Sequence, residues 1–399
     1  MSTARGTTAA WGSAPAGRVA HVGVSFTGPC GIRDYAGGLA EALRGEAVES
    51  TLHWLSRPER GLARVSREVR GWQRTLAGEL RAEQPDVVLL HYSVFPLSYR
   101  GIPLFVPSTI AVLRRPGLPV VTILHEPAYP WHLGGPRGKL WAASHRAVLR
   151  GAVVGSRAIA VTVEQRASWL RSRRWLPRRE LTVSPVFSNL PAAAVGVEPR
   201  AGRVGLFGYV HEGIAMEPVL DAMRVLAETD ADAELVLLGA PGADSEGGRR
   251  WLRAAAERGM RAPLLTGRLP AQELADALAS CQVLLSAETI GPTSRRTTLA
   301  ASLATGRPVV ALDGRQTWSE LREQGAARIV EPTAAALASA LGELLADAGE
   351  RERLGALAAS FARERMSSAR SARTIAELLD RALRDDGAQP RSRVERAAA

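Results

Sequence analysis

The chain predicts two α/β domains, each a doubly wound parallel sheet, and three observations carry that reading. Short apolar runs alternate with amphipathic helical stretches from Arg18 to Leu190, and the alternation restarts at Arg203. Between the two series lies Pro191–Gly202, PAAAVGVEPRAG, with the small, Pro- and Gly-rich composition of a linker. A length of 399 residues accommodates two domains of ordinary size.

The elements follow in order. RVAHVGVSFT (18–27) is the first strand; it enters the turn Gly28–Gly31, and Tyr35, Leu39 and Leu43 then recur at helical spacing. A strand at 51–56 precedes a basic amphipathic helix over Leu62–Glu83. Strand 86–93 is bounded by Pro85 and Pro96, and a helix is expected around Thr109–Leu113. The apolar run from 118 ends in His125, Glu126 and Pro127, then passes into an aromatic loop with Tyr129, Trp131 and His132. A helix (140–150), a strand (157–163), a helix (164–171) and a strand (181–190) complete the first series. The second runs strand 204–210, helix 216–228, strand 233–242, helix 248–258, strand 263–267, helix 271–280 and strand 282–288. Helix 299–304, strand 308–312, helix 316–323, strand 327–332 and helices 333–345, 350–366 and 372–384 finish it. The expected division is a disordered tail over 1–17, a first domain over 18–195, a second over 203–366, a returning helix over 367–385 and a disordered tail over 386–399.

Ser286–Leu312 is the most informative stretch. An apolar strand leads to Glu288, a Gly291-Pro292 turn, the polar patch Thr293-Ser294-Arg295-Arg296-Thr297-Thr298, a small-residue helix and a second strand. In an α/β sheet such a loop lies outside the carboxyl ends of the strands, where ligands bind. Ser294 or Thr293 can cap the helix, and two arginines beside free helix N–H groups favour an anion, most simply a phosphate. The plain alternative is a capped helix with solvated arginines. Likewise, Gly28–Gly31 can cradle a phosphate or sugar with backbone N–H groups, or only satisfy a tight turn. His125 at a strand end can face a ligand cleft or satisfy a buried carbonyl, and His132 poses the same choice from the loop.

Composition narrows the classes. Hydrophobic residues make up 46% and charged residues 23%, a globular balance. No apolar run approaches a membrane span of about 20 residues, and the N-terminus lacks the apolar core of a signal peptide. Cys30 and Cys281 are the only cysteines, which argues against a disulfide framework and a cysteine-based metal site. A cytoplasmic protein is expected. The net charge of +11 comes from scattered arginines; Lys139 is the only lysine. The one dense run, Arg171–Arg179, reads first as a solvated turn and second as a membrane or acceptor contact. Nucleic acid is not an expected partner, because no recognition motif accompanies the charge.

Taken together, GPCGIRDYAGGLAEAL, VVTILHE, VGLFGYVHEG, LLTGRLPAQELADALASCQVLLSAETIGP and TLAASLATGRPVVA resemble, in order, the motifs of glycosyltransferase family 4. The resemblance spans about residues 18–380. It implies a GT-B fold, two Rossmann-like domains facing a cleft, with C-terminal helices crossing back to the first domain. It also implies retaining, metal-independent sugar transfer from a nucleotide diphosphate donor to an unidentified acceptor, with no cofactor. His125 and Glu288 would then be catalytic. Gly31, Gly208, Tyr209, His211, Arg268, Gly291, Ser294, Arg295, Arg296 and Thr297 would hold the donor, and Cys30, Glu126, Tyr129 and His132 would lie on the acceptor side. A peripheral contact with the inner membrane face fits the same picture. The chain departs from the family where a second, ribose-binding glutamate is usual and Arg296 stands instead. It departs again at Tyr209 and Ile214, where the family has an arginine and a lysine for the diphosphate. These losses leave a non-catalytic GT-B auxiliary or nucleotide-sugar-binding protein as the alternative, with an epimerase on the same fold behind it.

Overall fold

The computed structural model describes residues 17–28, 30–208, 213–229, 233–239 and 242–384. Both expected tails, except Gly17, fall outside these, as do residue 385 of the expected returning helix, Tyr209, His211 and residues 230–232. The chain forms two compact units: Met1–Ser184 together with the segment from Ser371 onward, and Pro185–Arg370.

The first unit alternates β1 (Arg18–Phe26), α1 (Gly31–Leu43), β2 (Glu49–Arg57), α2 (Leu62–Glu83), β3 (Val87–Ser93) and α3 (Val106–Arg114). It continues with β4 (Val120–Glu126), α4 (Gly135–Gly155), β5 (Ala158–Val161), α5 (Glu164–Arg171) and β6 (Glu180–Val183). The six strands are parallel, in the order β2-β1-β3-β4-β5-β6. The order reverses at β1, so the crevice at the carboxyl ends of β1 and β3 is the switch point where ligands bind in such sheets. Period-two alternation divides the residues of β1 between two faces. Ala20, Val22 and Val24 join the apolar core that also contains Val65, Val69 and Leu76 of α2 and Leu149 of α4. His21, Gly23 and Ser25 point to the other face, where Tyr35 of α1 packs. The last strand is shorter than expected: it stops at Val183, because Pro185 cannot donate to the ladder.

The second unit has β7 (Arg200–Phe207), α6 (Met216–Thr229), β8 (Glu234–Leu238), α7 (Glu246–Glu257), β9 (Leu264–Leu265), α8 (Ala271–Ala279) and β10 (Cys281–Ser286). Then come α9 (Thr297–Ala304), β11 (Val309–Leu312), α10 (Ser319–Glu323), β12 (Arg328–Val330), α11 (Ala334–Ala346) and α12 (Ala348–Arg365). Its parallel sheet runs β12-β11-β10-β7-β8-β9, so its switch point lies between β7 and β10. Separate apolar clusters cover the two faces, one centred on α6 and α11, the other on α8, α9 and α12. Residues 191–202 are tied to this unit: Ala194 N–H donates to Asp276 at 2.7 Å, and Arg307 donates to the Val197 carbonyl at 3.1 Å.

The last helix, α13 (Ser368–Arg384), begins in the second unit, and from Ser371 it belongs to the first. Ile375, Leu378 and Leu379 are buried, and Arg381 pairs with Glu180 and Arg373 with Glu46.

Candidate active site

In the second unit, both loops at the switch point converge on the start of α9. β7 exits through Gly208, whose φ of +77° suits only glycine, and a Cβ there would meet Thr298 Cγ2 at 2.8 Å. β10 exits into Ala287–Thr289, which pairs with Gly213–Ala215 through bonds of 2.8 Å from Ala215 N–H to the Ala287 carbonyl and from Thr289 N–H to the Gly213 carbonyl. That pairing fixes Glu288, which is 4% exposed and accepts from Ser286 Oγ at 2.6 Å. Its other carboxylate oxygen lies 3.8 Å from Arg296 Nε, a nitrogen that is buried and makes no hydrogen bond among the described residues.

The helix begins two residues earlier than the sequence suggests, and neither Thr293 nor Ser294 caps it. Arg296 is the N-cap residue and provides no side-chain bond. Thr293 and Ser294 are instead buried in the preceding turn, where the Ser294 carbonyl accepts from Val186 N–H at 2.9 Å. The first intrahelical bond, from Ala300 N–H to the Arg296 carbonyl, leaves the N–H groups of Thr297, Thr298 and Leu299 without backbone acceptors among the described residues. Gly291 holds the turn: its φ is +89°, and a Cβ would meet Thr317 Oγ1 at 2.2 Å. The result is an uncapped helix end at Thr297, immediately preceded in the chain by Arg295 and Arg296, with Arg296 Nε 3.8 Å from the buried Glu288 carboxylate. Arg268 is exposed on the loop after β9.

In the first unit, the β1 exit stands at the switch point. Gly28 has a φ of +109°, Cys30 is the N-cap of α1 without a side-chain bond, and the exposed Gly31 opens the helix. His125 and Glu126 close β4. Glu126 accepts from Ser93 Oγ at 2.7 Å. Tyr129 is held by a bond from its N–H to His145 Nδ1 at 3.0 Å and by an edge contact with Trp141. His132 is exposed on the same loop, apart from these contacts.

His125 is not alone. Its Nε2 lies 3.2 Å from His91 Nδ1, and His91 Nε2 lies 3.0 Å from His21 Nδ1. Consecutive ring centroids are 5.4 and 5.3 Å apart, with interplanar angles of 13° and 20°. Tyr35 packs edge-on against His91 and His125. Gly23 leaves room for the Trp54 ring, since a Cβ would meet that ring at 2.2 Å. Burial pushes His21 and His125 down to about 3, assisted by the positive potential of His53 and Arg166 respectively. The same burial, with His21 and His125 as neighbours, holds His91 well below its usual value. All three rings are therefore neutral at pH 7. Their nitrogens point at one another and do not converge on a common centre. Sequence reading singled out His125 but missed His21 and His91, whose only local signal was a histidine inside an apolar strand.

The basic run near Arg171 is largely tied down. Arg171 pairs with Glu164 at 3.0 Å, and Arg179 donates to the last carbonyls of α4 at 3.2 and 3.1 Å. No helix among the described residues is long and apolar enough to cross a membrane.

Residues 199–347 match the sequence model of the family described as Glycosyl transferases group 1. That match lies within the second unit. The matched segment contains β7, β10 and the whole loop before α9. No curated protein matches the chain. Solved structures match it along most of its length. Sucrose-phosphate synthase from Thermosynechococcus elongatus is 14% identical, over 93% of this chain and 100% of that one, with a TM-score of 0.68. A glycosyltransferase from Rickettsia africae is 10% identical over 92% and 99%, with a TM-score of 0.68. Anabaena HepE in complex with UDP and glucose is 16% identical over 92% and 100%, with a TM-score of 0.65. At these identities the likeness shows the fold: two Rossmann-like domains of the GT-B kind.

Proposed function

We propose that the protein transfers a sugar from a nucleotide diphosphate donor to an acceptor hydroxyl, with retention and without a metal. The observation that carries this reading is the uncapped start of α9 at the switch point of the group 1 domain, flanked by Arg295 and Arg296 and backed by Glu288. Charge builds on the leaving diphosphate as the glycosidic bond breaks, and oriented N–H groups and guanidinium forks stabilise it. In this reading Glu288 accepts from a donor-sugar hydroxyl, Gly208 and Gly291 let the backbone approach the diphosphate, and Tyr209, His211 and Arg268 complete the donor side. His125 contacts the sugar or takes the acceptor proton. Gly31 presents helix N–H groups, and Cys30, Glu126, Tyr129 and His132 meet the acceptor. The UDP and glucose of the Anabaena structure support a nucleotide sugar as donor. A cytoplasmic setting with a peripheral contact at the inner membrane face belongs to the same reading.

The second reading, a non-catalytic nucleotide-sugar-binding protein, draws on one observation. Arg296 stands where the resemblance expects a ribose-binding glutamate, and its Nε lies 3.8 Å from Glu288. Incubation with a panel of nucleotide sugars and pooled acceptors separates the two. Release of nucleoside diphosphate that depends on acceptor supports transfer. Tight nucleotide binding without release with any pair supports the auxiliary role.

A further inference from the structure

Four side chains from four neighbouring strands form one hydrogen-bonded line. Ser50 on β2 aligns with Val19, so it lies two residues below His21 on β1. His21 aligns with Leu89, two below His91 on β3, and His91 aligns with Ile123, two below His125 on β4. Each step crosses one strand and climbs two residues toward the carboxyl edge, so all four side chains share one face. The contacts are 3.2 Å from Ser50 Oγ to His21 Nε2, 3.0 Å from His21 Nδ1 to His91 Nε2, and 3.2 Å from His91 Nδ1 to His125 Nε2. The upper end is His125 Nδ1, which makes no hydrogen bond to any described residue. The lower end, Ser50, is half-buried and lines a surface cavity of about 470 Å³ with Arg18, Glu49, Thr51 and Glu83.

We propose that this line is a proton relay that sets, and reverses, the tautomer His125 shows to a bound hydroxyl. The proposal deepens the transferase reading and rests on it for the identity of that hydroxyl. Neutral rings in a row have two consistent arrangements. In one, every Nε2 carries the proton, and His125 Nδ1 offers a lone pair. In the other, every Nδ1 carries it, and His125 Nδ1 offers an N–H. A hydroxyl proton taken by His125 Nδ1 displaces the Nε2 proton to His91 Nδ1. The Nε2 proton of His91 then moves to His21 Nδ1, that of His21 to Ser50 Oγ, and the original Ser50 proton to water in the cavity. Each ring begins and ends with one proton, so no imidazolium is left in the apolar interior. The reverse shift, drawing a proton from water at Ser50 and releasing one from His125 Nδ1, resets the line after product leaves. His21 and His91 are positioning residues, because neither touches substrate.

The charged and titratable neighbours are compatible with this neutrality. Tyr35 faces His91 and His125, and burial raises its phenol well above the usual range, so it stays protonated. Arg166 lies near His125 and donates to the Leu124 carbonyl at 3.3 Å. His53 near His21 is engaged by Glu79 and Glu83 at 2.8 and 3.0 Å. Glu126 is held by Ser93.

Two measurements on the full chain test the relay. Nitrogen-15 NMR of the histidine rings reads the tautomers whether or not a transferase substrate is known. Ser50→Ala removes a half-buried hydroxyl at the opposite end of the line and should change the protonated fraction of His125 Nδ1. An unchanged His125 signal in a folded Ser50→Ala protein overturns the relay. The second measurement is kinetic. His91→Gln keeps a donor and an acceptor but cannot shift a proton. It should lower kcat by about 10- to 100-fold, less than a full general base supplies, leave KM within about twofold and change the solvent isotope effect on kcat. Equal kcat and isotope effect in His91→Gln also overturn it. If the wild type releases no nucleoside diphosphate with any pair, the transferase reading fails and the Ser50→Ala spectrum still decides the relay.

Discussion

The two units bury polar groups in opposite ways. In the first, three imidazoles go into the interior as neutral rings, each satisfied by the next. In the second, a carboxylate goes in beside a guanidinium and a hydroxyl. An isolated buried charge costs far more than a buried neutral group that keeps its hydrogen bonds. A neutral line can therefore be long and deep, whereas a buried charge needs its partner within a few ångströms. In the Glu288–Arg296 pair the carboxylate is the deeper member: its side chain is 5% exposed and that of Arg296 27%.

Acid should break the first assembly most severely. The histidines have folded values below their unfolded value near 6.5, so the unfolded chain binds more protons below that pH. Their contribution to stability is full above about pH 6.5 and is lost as pH falls toward 3. The loss is about 1.4 kcal/mol per pH unit for each histidine, or about 4 kcal/mol for three as an upper bound. Denaturant unfolding of the first unit at pH 6.5, 5.5 and 4.5 reads this slope; a flat midpoint would mean that the rings are hydrated.

Next in size is Glu288→Ala, which should lower turnover about 10²- to 10³-fold, in the range found for removing a group that acts on the transition state. Unchanged nucleoside diphosphate release would sink the assignment of Glu288. Gly291→Ala should destabilise the second unit by about 2–3 kcal/mol, because its methyl collides with Thr317 and its φ is left-handed. A thermal melt checks it.

Arg296→Ala sharpens the contrast from the charged side. It should weaken nucleoside diphosphate binding about tenfold by calorimetry, near 1.4 kcal/mol, the order of one charge-assisted hydrogen bond. Equal affinity would assign Arg296 to Glu288 alone. The smallest effect belongs to His132→Ala: the exposed ring has no described contact, so stability should change by no more than about 0.5 kcal/mol, and any loss of turnover would reflect acceptor binding.

Local pattern made the architecture legible. Leu62–Glu83 and Glu164–Arg171 begin and end where periodicity places them, because helix ends and strand alternation are written in neighbouring residues. The glycine turns after β1 and β10 were legible for the same reason, since a left-handed φ needs a residue without Cβ, whereas Gly208, read inside a strand over 204–210, lies just past the end of β7 with a left-handed φ. The helix cap was not. Thr293 and Ser294 have the chemistry of caps, but the Pro292 turn buries them and passes the N-cap position to Arg296. The ion pair of Glu288 with Arg296 joins two residues within one loop, yet its distance depends on how Gly213–Ala215 pins Glu288.

The sequence by itself determined two parallel α/β sheets, their order along the chain and the stretch where an anion would meet a helix start. Only the tertiary structure decided that residues 50, 21, 91 and 125 stand in one line. Each is unremarkable among its own neighbours, and the line exists because parallel register brings together strands that are distant in sequence, two residues further along at every step.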